Sequence, residues 1–510
     1  MKRNIKKQLL SLTDTLNEAH EYITDQIANK NTEAVISLLK DCQDSAVKIG
    51  TTIEQYENGY RHIVEKLEKY CDMLYQLGQA LENSSGALKL MKKISKSIDI
   101  IANNIKYDIK CEIEVLFLPY KASMWTSLES IWKAASMDPD CNAVVMPIPY
   151  FNIGDPSNIT EEYEGDLFPK DVPITDYRNY DIAKRHPDAI IIHNPYDDNN
   201  ILTRVHPNFF SSRLKEHTDC LVYSPYFTYG NFIPGKSDYQ YLEPGTVNAD
   251  KIIIQSEKVK KIFKTYGFSD DKLIVSGSPK IDAIVKLNSN DMDMPEKWKE
   301  KLGNKKIFLL NTHLTYFPAS FTNTTKSGNY GVRFHNEILK AILDRKDVGL
   351  IWRPHPLMNK MISAKYPECL DYIDHLEKTI SNSSNCVIDN TADYRPAFVY
   401  SDAMISTWSS LINEYMVLGK PVMIFQTQPS GETRARSPID RGLNYYRFGP
   451  GGMRFEDFID MVVEGKDPLY EARMNMINQA FRNLDGTAGE NAYAWIKSEL
   501  SKCKARTVTS

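Results

Sequence analysis

Ser409 and Ser410 follow an apolar run at Ala403–Ser406 and precede a helical pattern at 411–418. Gly419-Lys420-Pro421 stops that pattern before a second apolar run at 422–425. In the order strand, serine pair, helix, glycine stop, strand, the serines fall at a helix N-terminus. Free backbone N–H groups and the positive end of the helix dipole attract anions there, phosphate above all. Glu414 lies one turn further on, on the face of Ser410, where a carboxylate can hold ribose hydroxyls. Upstream, Trp352-Arg353-Pro354-His355-Pro356 closes another apolar run. His355, fixed between prolines, can donate to a phosphate oxygen, and Arg353 can clamp phosphate charge. Singly, a serine pair is most often a helix cap and a lone glutamate a solvated side chain. The combination is much rarer and favours a site for a nucleotide diphosphate.

Three further groups are chemically suggestive. His313, in Asn311-Thr312-His313, ends an apolar run at 307–310 and is placed to face a cleft; a satisfied loop histidine is the equal alternative. His193-Asn194-Pro195-Tyr196-Asp197-Asp198 follows Ile190-Ile191-Ile192 directly. A histidine at a strand's end with the Asp197 carboxylate close by suits general-base work. His206 is a weaker candidate, and for both histidines a turn held by Asx hydrogen bonds is the structural alternative. Arg434, Arg436, Arg441 and Arg447 share a Gly/Pro-rich loop, where Arg441 is the best placed for phosphate and a solvated basic loop is the alternative.

The elements that must position these residues come in two styles. Residues 1–108 contain no proline. A heptad seam runs through Ala46, Ile49, Ile53, Tyr56, Tyr60, Ile63, Leu67, Tyr70, Leu74, Leu77 and Leu81, which predicts a long coiled-coil-like helix. Shorter seams flank it at Leu9–Ile23 spacing (Leu9, Leu12, Leu16, Ala19, Ile23) and at Met91, Ile94, Ile98, Ile101 and Ile105. Together they predict an antiparallel hairpin or three-helix arm. From Cys111 onward, short apolar runs alternate with helical stretches: Ile113–Leu118, 143–148, Ala189–Ile192, 221–223, Lys251–Ile254 and Leu273–Val275. After a polar linker at 288–301, a second set follows at 307–310, 348–352, Ala403–Ser406 and 422–425. Wholly apolar strands between helices mean parallel sheets covered on both faces. The expected fold class is α/β: two doubly wound, Rossmann-like domains in series, the GT-B plan, with an N-terminal helical arm. The expected boundaries are 1–108 for the arm, 109–290 for an acceptor domain, 291–480 for a nucleotide-donor domain and 481–510 for a helical tail.

With that order of elements in view, residues from about 220 to 480 resemble the CDP-glycerol glycerophosphotransferases of teichoic-acid synthesis. The landmarks are Val275-Ser276-Gly277-Ser278-Pro279-Lys280-Ile281-Asp282, then Arg353-Pro354-His355-Pro356, then Ser406 through Tyr415 with its serine pair, and last Asp440-Arg441-Gly442-Leu443-Asn444-Tyr445. The first alone is weak, the serine unit fairly specific, and the ordered set stronger than any member. The resemblance implies a GT-B fold and transfer of glycerol phosphate, or a related polyol phosphate, from a CDP-activated donor. It places Ser278 and Lys280 on the donor side with Arg353, Ser409, Ser410, Glu414 and Arg441. The chain departs from the family at Tyr223-Ser224-Pro225-Tyr226-Phe227, which stands where the family carries His-Gly-Thr-Pro, and at Thr407, where it carries Asp.

Composition narrows the partners. A net charge of -4 gives no reason to expect nucleic acid. The eight cysteines form no C-x-x-C pair, which argues for reduced thiols and against a zinc site. No apolar run approaches the ~20 residues of a membrane span. The expected setting is the cytoplasm, with a peripheral contact at the inner face of the membrane left open by the basic start Met1–Lys7. The expected donor substrate is CDP-glycerol; no metal-ligating residues are identified, no further cofactor is assigned, and the need for a divalent metal stays open. The expected acceptor is a glycan or polyol-phosphate chain of the cell envelope. A homo-oligomer through the arm stays open. Two rival readings remain: a UDP-sugar glycosyltransferase or 2-epimerase on the same fold, and a non-catalytic scaffold that acts through the arm.

Overall fold

The computed structural model describes the chain except for residues 56–57, 155, 230–237, 288–291, 313–329, 356–357, 392, 408, 426–443, 449–451 and 507–510. The chain falls into two compact units. One comprises Met1–Val115, Asp138–Ala143 and Ile182–Asp188, so 109–115 and two later insertions join the helical region expected to end at 108. Both sheets' remaining residues fall in the other unit, rather than in two separate ones.

The helical region has four helices: α1 (Arg3–Ala28), α2 (Thr32–Glu54), α3 (Arg61–Gln79) and α4 (Ser84–Tyr107). The long seam is therefore two helices rather than one. A short turn at Asn58–Tyr60 interrupts it, and buried Ile53 and Ile63 resume the pattern on either side. Heptad spacing continues across the Asn58-Gly59 turn, so periodicity alone cannot register the break. Gln43 Nε2 donates to the Cys71 carbonyl at 3.2 Å, and Lys66 Nζ donates to Asn104 Oδ1 at 2.6 Å. These bonds pair α2 with α3 and α3 with α4, while α1 packs on α2 and α4. Asn31 and Asn83 cap α2 and α4 through their side chains.

The buried face of α1 runs through Leu9, Thr13, Leu16, His20, Ile23 and Ile27, so Thr13 and His20 take the places expected for Leu12 and Ala19. His20 is buried in the bundle, and its Nε2 lies 2.7 Å from the Tyr70 hydroxyl. Burial lowers its pKa to about 4. The folded value thus lies below the ordinary value near 6.5, so the unfolded chain takes up a proton first as pH falls. The stability that goes with neutral His20 is complete above about pH 6.5 and is lost toward pH 4, by up to ~3 kcal/mol. Thermal melts across that window should show the decline, and His20→Gln should flatten part of it. An unchanged pH profile for that variant would mean that His20 titrates as a solvated histidine.

The body is built from β1 (Ile113–Leu118), β2 (Cys141–Val145), β3 (Tyr150–Asn152), β4 (Thr160–Glu162), β5 (Ala189–Ile192), β6 (Thr203–Val205), β7 (Cys220–Tyr223), β8 (Lys251–Ile254), β9 (Leu273–Val275), β10 (Lys306–Thr312), β11 (Val348–Pro354), β12 (Cys386–Ile388), β13 (Ala403–Ser406), β14 (Val422–Ile424) and β15 (Tyr446–Arg447). The first sheet has the order β2-β1-β5-β7-β8-β9, and its strands from β5 to β9 are parallel. β3, β4 and β6 form a small antiparallel sheet. The second sheet, wholly parallel, runs β12-β11-β10-β13-β14-β15. Its earliest strand is central and later strands add outward on both sides, which is the doubly wound Rossmann order. The side chains of this sheet, such as Phe308, Leu310, Leu350, Trp352 and Ile405, are fully buried, as a sheet covered on both faces requires.

The final helix, Ala488–Arg506, leaves the second sheet and packs on α5 (Thr126–Ser136) and on the Pro279–Val285 helix of the first. Asp282 accepts from the first backbone N–H groups of that segment, Ala488 at 3.1 Å and Gly489 at 2.7 Å. Gly489 has no room for a side chain, since a Cβ there would meet Ser130 Oγ at 2.2 Å. Two parallel α/β sheets in series with a closing helix that returns to the first are the GT-B plan expected from the sequence.

Candidate active site

In a doubly wound sheet, ligands bind at the C-terminal strand edge where the strand order reverses. In the second sheet that point is the gap between β10 and β13. Strand register sets Asn311 of β10 level with Arg353 of β11 on one side and Ser406 of β13 on the other. The Arg-Pro-His turn and the serine turn thus leave the sheet on either side of one strand end. Thr312 holds the first: its carbonyl accepts from the His355 N–H at 3.0 Å, and its hydroxyl accepts from Trp352 Nε1 at 3.1 Å. Asn311 holds the second: its Nδ2 donates to Ser406 Oγ at 2.8 Å and to Ser409 Oγ at 2.9 Å. Asn311 is itself almost wholly buried.

Ser410 is exposed and precedes the helix Leu411–Met416, but its hydroxyl makes no capping bond. A serine present only as a cap would use its oxygen there. The helix has six residues rather than the expected eight, so its dipole is weak. What the turn offers a ligand is side-chain hydroxyls and backbone N–H groups rather than a strong helix dipole. His355 is half-buried at the strand end.

Other expected site residues have different occupations. Glu414 is fully buried, and its Oε1 accepts from Lys280 Nζ at 2.7 Å. It is therefore not displayed for ribose, and Lys280 is not free for phosphate. Lys280 also lies over the Tyr394 ring, 5.7 Å from its centroid. Arg353 is buried and ion-paired with Asp389, and its Nη2 donates to the Thr391 carbonyl at 2.8 Å. Further contacts go to Thr391 and to the Asp393 carbonyl. Ser278 is buried and lines a cavity of about 10 Å³ with Pro225, Phe227, Tyr229 and Gln255. That is room for no more than a water molecule.

The proposed bases of the first sheet are also committed. His193 is fully buried, and its Nε2 accepts from the Tyr120 N–H at 3.1 Å. The ring proton therefore sits on Nδ1, which faces Ser127 Oγ at 3.0 Å. Burial lowers the pKa of His193 to about 3. With both ring nitrogens engaged, His193 ties the turn after β1 to the start of α5. Asp197 is buried too and accepts from the Ser211 N–H and hydroxyl, the latter at 2.6 Å. Burial raises its pKa, and it caps the Ser211–Lys215 helix rather than orienting a base. His206 accepts from the Asn208 N–H through Nδ1 at 3.2 Å and stacks on Phe151. His313 and Arg441, with Arg434 and Arg436, lie outside the described residues. Sequence reasoning missed Asn311. The available signal was a polar residue near the end of an apolar strand, two positions before the candidate His313.

The fold and this crevice define a Rossmann-type α/β protein with its ligand edge at the β10/β13 reversal. The family model described as CDP-Glycerol:Poly(glycerophosphate) glycerophosphotransferase matches residues 234–497. That is more than half of the chain, and the chain belongs to this family. A curated relative, the teichoic acid poly(ribitol-phosphate) polymerase of Bacillus spizizenii, is 21% identical over 249 residues, 48% of this chain. The match spans only 36% of the relative's own length. Among solved structures, the wall teichoic acid polymerase TagF is 13% identical, with 86% of this chain and 98% of that one covered at a TM-score of 0.47. A UDP-N-acetylglucosamine 2-epimerase is 14% identical, with 76% and 95% covered at a TM-score of 0.46. Among the described residues, no helix is long and apolar enough to cross a membrane, and no cluster of His, Cys, Asp or Glu is arranged to hold a metal ion.

Proposed function

We propose that the chain transfers glycerol phosphate, or a related polyol phosphate, from a CDP-activated donor to a hydroxyl of a polyol-phosphate or glycan acceptor. The acceptor hydroxyl gives up its proton to solvent as its oxygen bonds to the β-phosphorus, the bond from that phosphorus to the bridging oxygen breaks, and CMP leaves with the bridging oxygen. Such a reaction asks mainly for positioning and for neutralisation of diphosphate charge. The observation that carries the reading is the convergence of His355 and Ser409 on either side of the β10 end, at the strand reversal of the sheet. Family membership supplies the donor class. In this reading Ser409 and Ser410 bind the diphosphate, and His355 donates to a phosphate oxygen in the transition state.

Ser409→Ala with Ser410→Ala should weaken CDP binding by ~1–3 kcal/mol per hydroxyl, the range for a hydrogen bond to a charged group. Stability should fall by ~1–3 kcal/mol, because Ser409 Oγ accepts from the buried Asn311 amide, while the Ser410 hydroxyl caps nothing. Titration calorimetry with CDP tests this, and equal affinity in the double variant would remove the serine turn from the donor site.

The domain division follows from the same reading: 109–290 for the acceptor side, 291–480 for the donor side and 481–510 as the tail. We assign the helical region a role in holding a long anionic acceptor. Lys89, Lys92, Lys93 and Lys96 form one exposed stripe of α4 with no acid among them, which supports it. Replacing the four by alanine should slow use of a long polyol-phosphate acceptor and spare a short soluble one. Equal rates with the long acceptor would end that assignment. Peripheral membrane contact and self-association through the arm belong to the same proposal, and vesicle flotation and light scattering test them.

A further inference from the structure

We propose that Asn311 is a positioning residue for the donor site: it fixes the direction of the Ser409 hydroxyl proton. The inference rests on the reading of Ser409 as a diphosphate ligand. A serine hydroxyl carries a single proton and can both accept and donate. The Asn311 amide donates its two protons to Ser406 Oγ and Ser409 Oγ. Ser406 passes its own proton to the Thr407 carbonyl at 2.6 Å, so that hydroxyl is satisfied on both counts. Ser409 is different. Its oxygen receives the amide proton, and among the described residues its O–H has no acceptor. The side chain is half-exposed at the strand edge, while Asn311 beneath it is buried. The proton is therefore turned away from the sheet, to the side from which a ligand enters. An acceptor-only group, such as a diphosphate oxygen, is the partner this arrangement fits. A hydroxyl free to rotate would have to be oriented on each binding event; here the buried amide fixes its direction beforehand.

The placement also explains why an amide serves better than a carboxylate. Aspartate has the same shape but only acceptors. At position 311 it would take the Ser409 proton inward and set a negative charge beneath the bound phosphates.

The test is a double-mutant cycle read by CDP titration on the full chain. Asn311→Ala should reduce CDP affinity about tenfold, and Asn311→Asp by more. In a Ser409→Ala background, Asn311→Ala should cost less than twofold, because a residue that acts through Ser409 has nothing left to orient. Circular dichroism and melting checks accompany each variant, and Asn311→Asp, being isosteric, serves if Asn311→Ala does not fold. Equal tenfold losses with and without Ser409 would overturn the inference and make Asn311 a general support of the strand end. Unchanged affinity in Asn311→Asp would overturn it as well. If the wild-type chain binds no CDP at all, the donor reading falls and takes this inference with it; if the wild type binds and the cycle is additive, only the inference fails.

Discussion

Glu414→Ala should destabilise the protein by ~3–5 kcal/mol, the cost of leaving a buried charge without its partner. The Lys280 ammonium and the Glu414 carboxylate meet at 2.7 Å with side-chain exposures of 9% and 0%. The remaining carboxylate oxygen, Oε2, is buried and makes no close hydrogen bond among the described residues, while the buried Tyr394 side chain lies beside both members of the pair. Removing one member strands the other where water cannot reach it. Removing both is different: Lys280→Met with Glu414→Leu should return most of the lost stability, since an apolar pair of similar volume often replaces a buried ion pair without penalty. Denaturant titration of the two singles and the double resolves this. A single variant within ~1 kcal/mol of wild type would mean that the pair is solvated in solution. CDP affinity of the double variant should stay within a few-fold of wild type, because Glu414 points at Lys280 and not at the crevice. A hundredfold loss would show that the carboxylate reaches the donor after all.

His355→Ala should lower turnover by roughly two to three orders of magnitude, the range for loss of one preorganised donor aimed at developing charge. The backbone of His355 is tied to Thr312, and its carbonyl accepts from the Met358 N–H at 2.8 Å. The turn should therefore survive loss of the ring, and CDP binding should be nearly unchanged. A fall in turnover without a fall in affinity marks a group that works in the transition state. Single-turnover rates beside CDP affinities give both quantities. Turnover near wild type would make His355 a loop residue only.

Much of this architecture was legible from local pattern. Parallel strands buried on both faces leave continuous apolar runs, so 307–310 and 348–352 located β10 and β11, and the structure extends them to Lys306–Thr312 and Val348–Pro354. The serine turn and the Arg-Pro-His turn were legible because each is a short motif at a strand end. Strands β3, β4 and β6 were not, since three residues of mixed polarity carry no period. The fates of Glu414 and Lys280 were hidden for another reason. They lie 134 residues apart, and nothing local tells a carboxylate that a lysine of the other sheet's helix will meet it. His193 shows the same limit. Its position after three isoleucines suggested a base, but only the tertiary fold brings the Tyr120 N–H and the Ser127 hydroxyl to its two nitrogens. Asn311 was half visible: its strand was found, and its pairing level with Ser406 follows only from sheet order.

The central claim is that the crevice between β10 and β13 handles a CDP-activated polyol phosphate. The most direct test is the nucleotide released when the chain is incubated with CDP-glycerol and a polyol-phosphate acceptor, identified by mass spectrometry beside a parallel reaction with a UDP-sugar. The expected result is CMP, formed in step with an acceptor that gains one glycerol phosphate and lost in the Ser409→Ala, Ser410→Ala variant. UDP released from the sugar nucleotide, with CDP-glycerol left intact, would contradict the account.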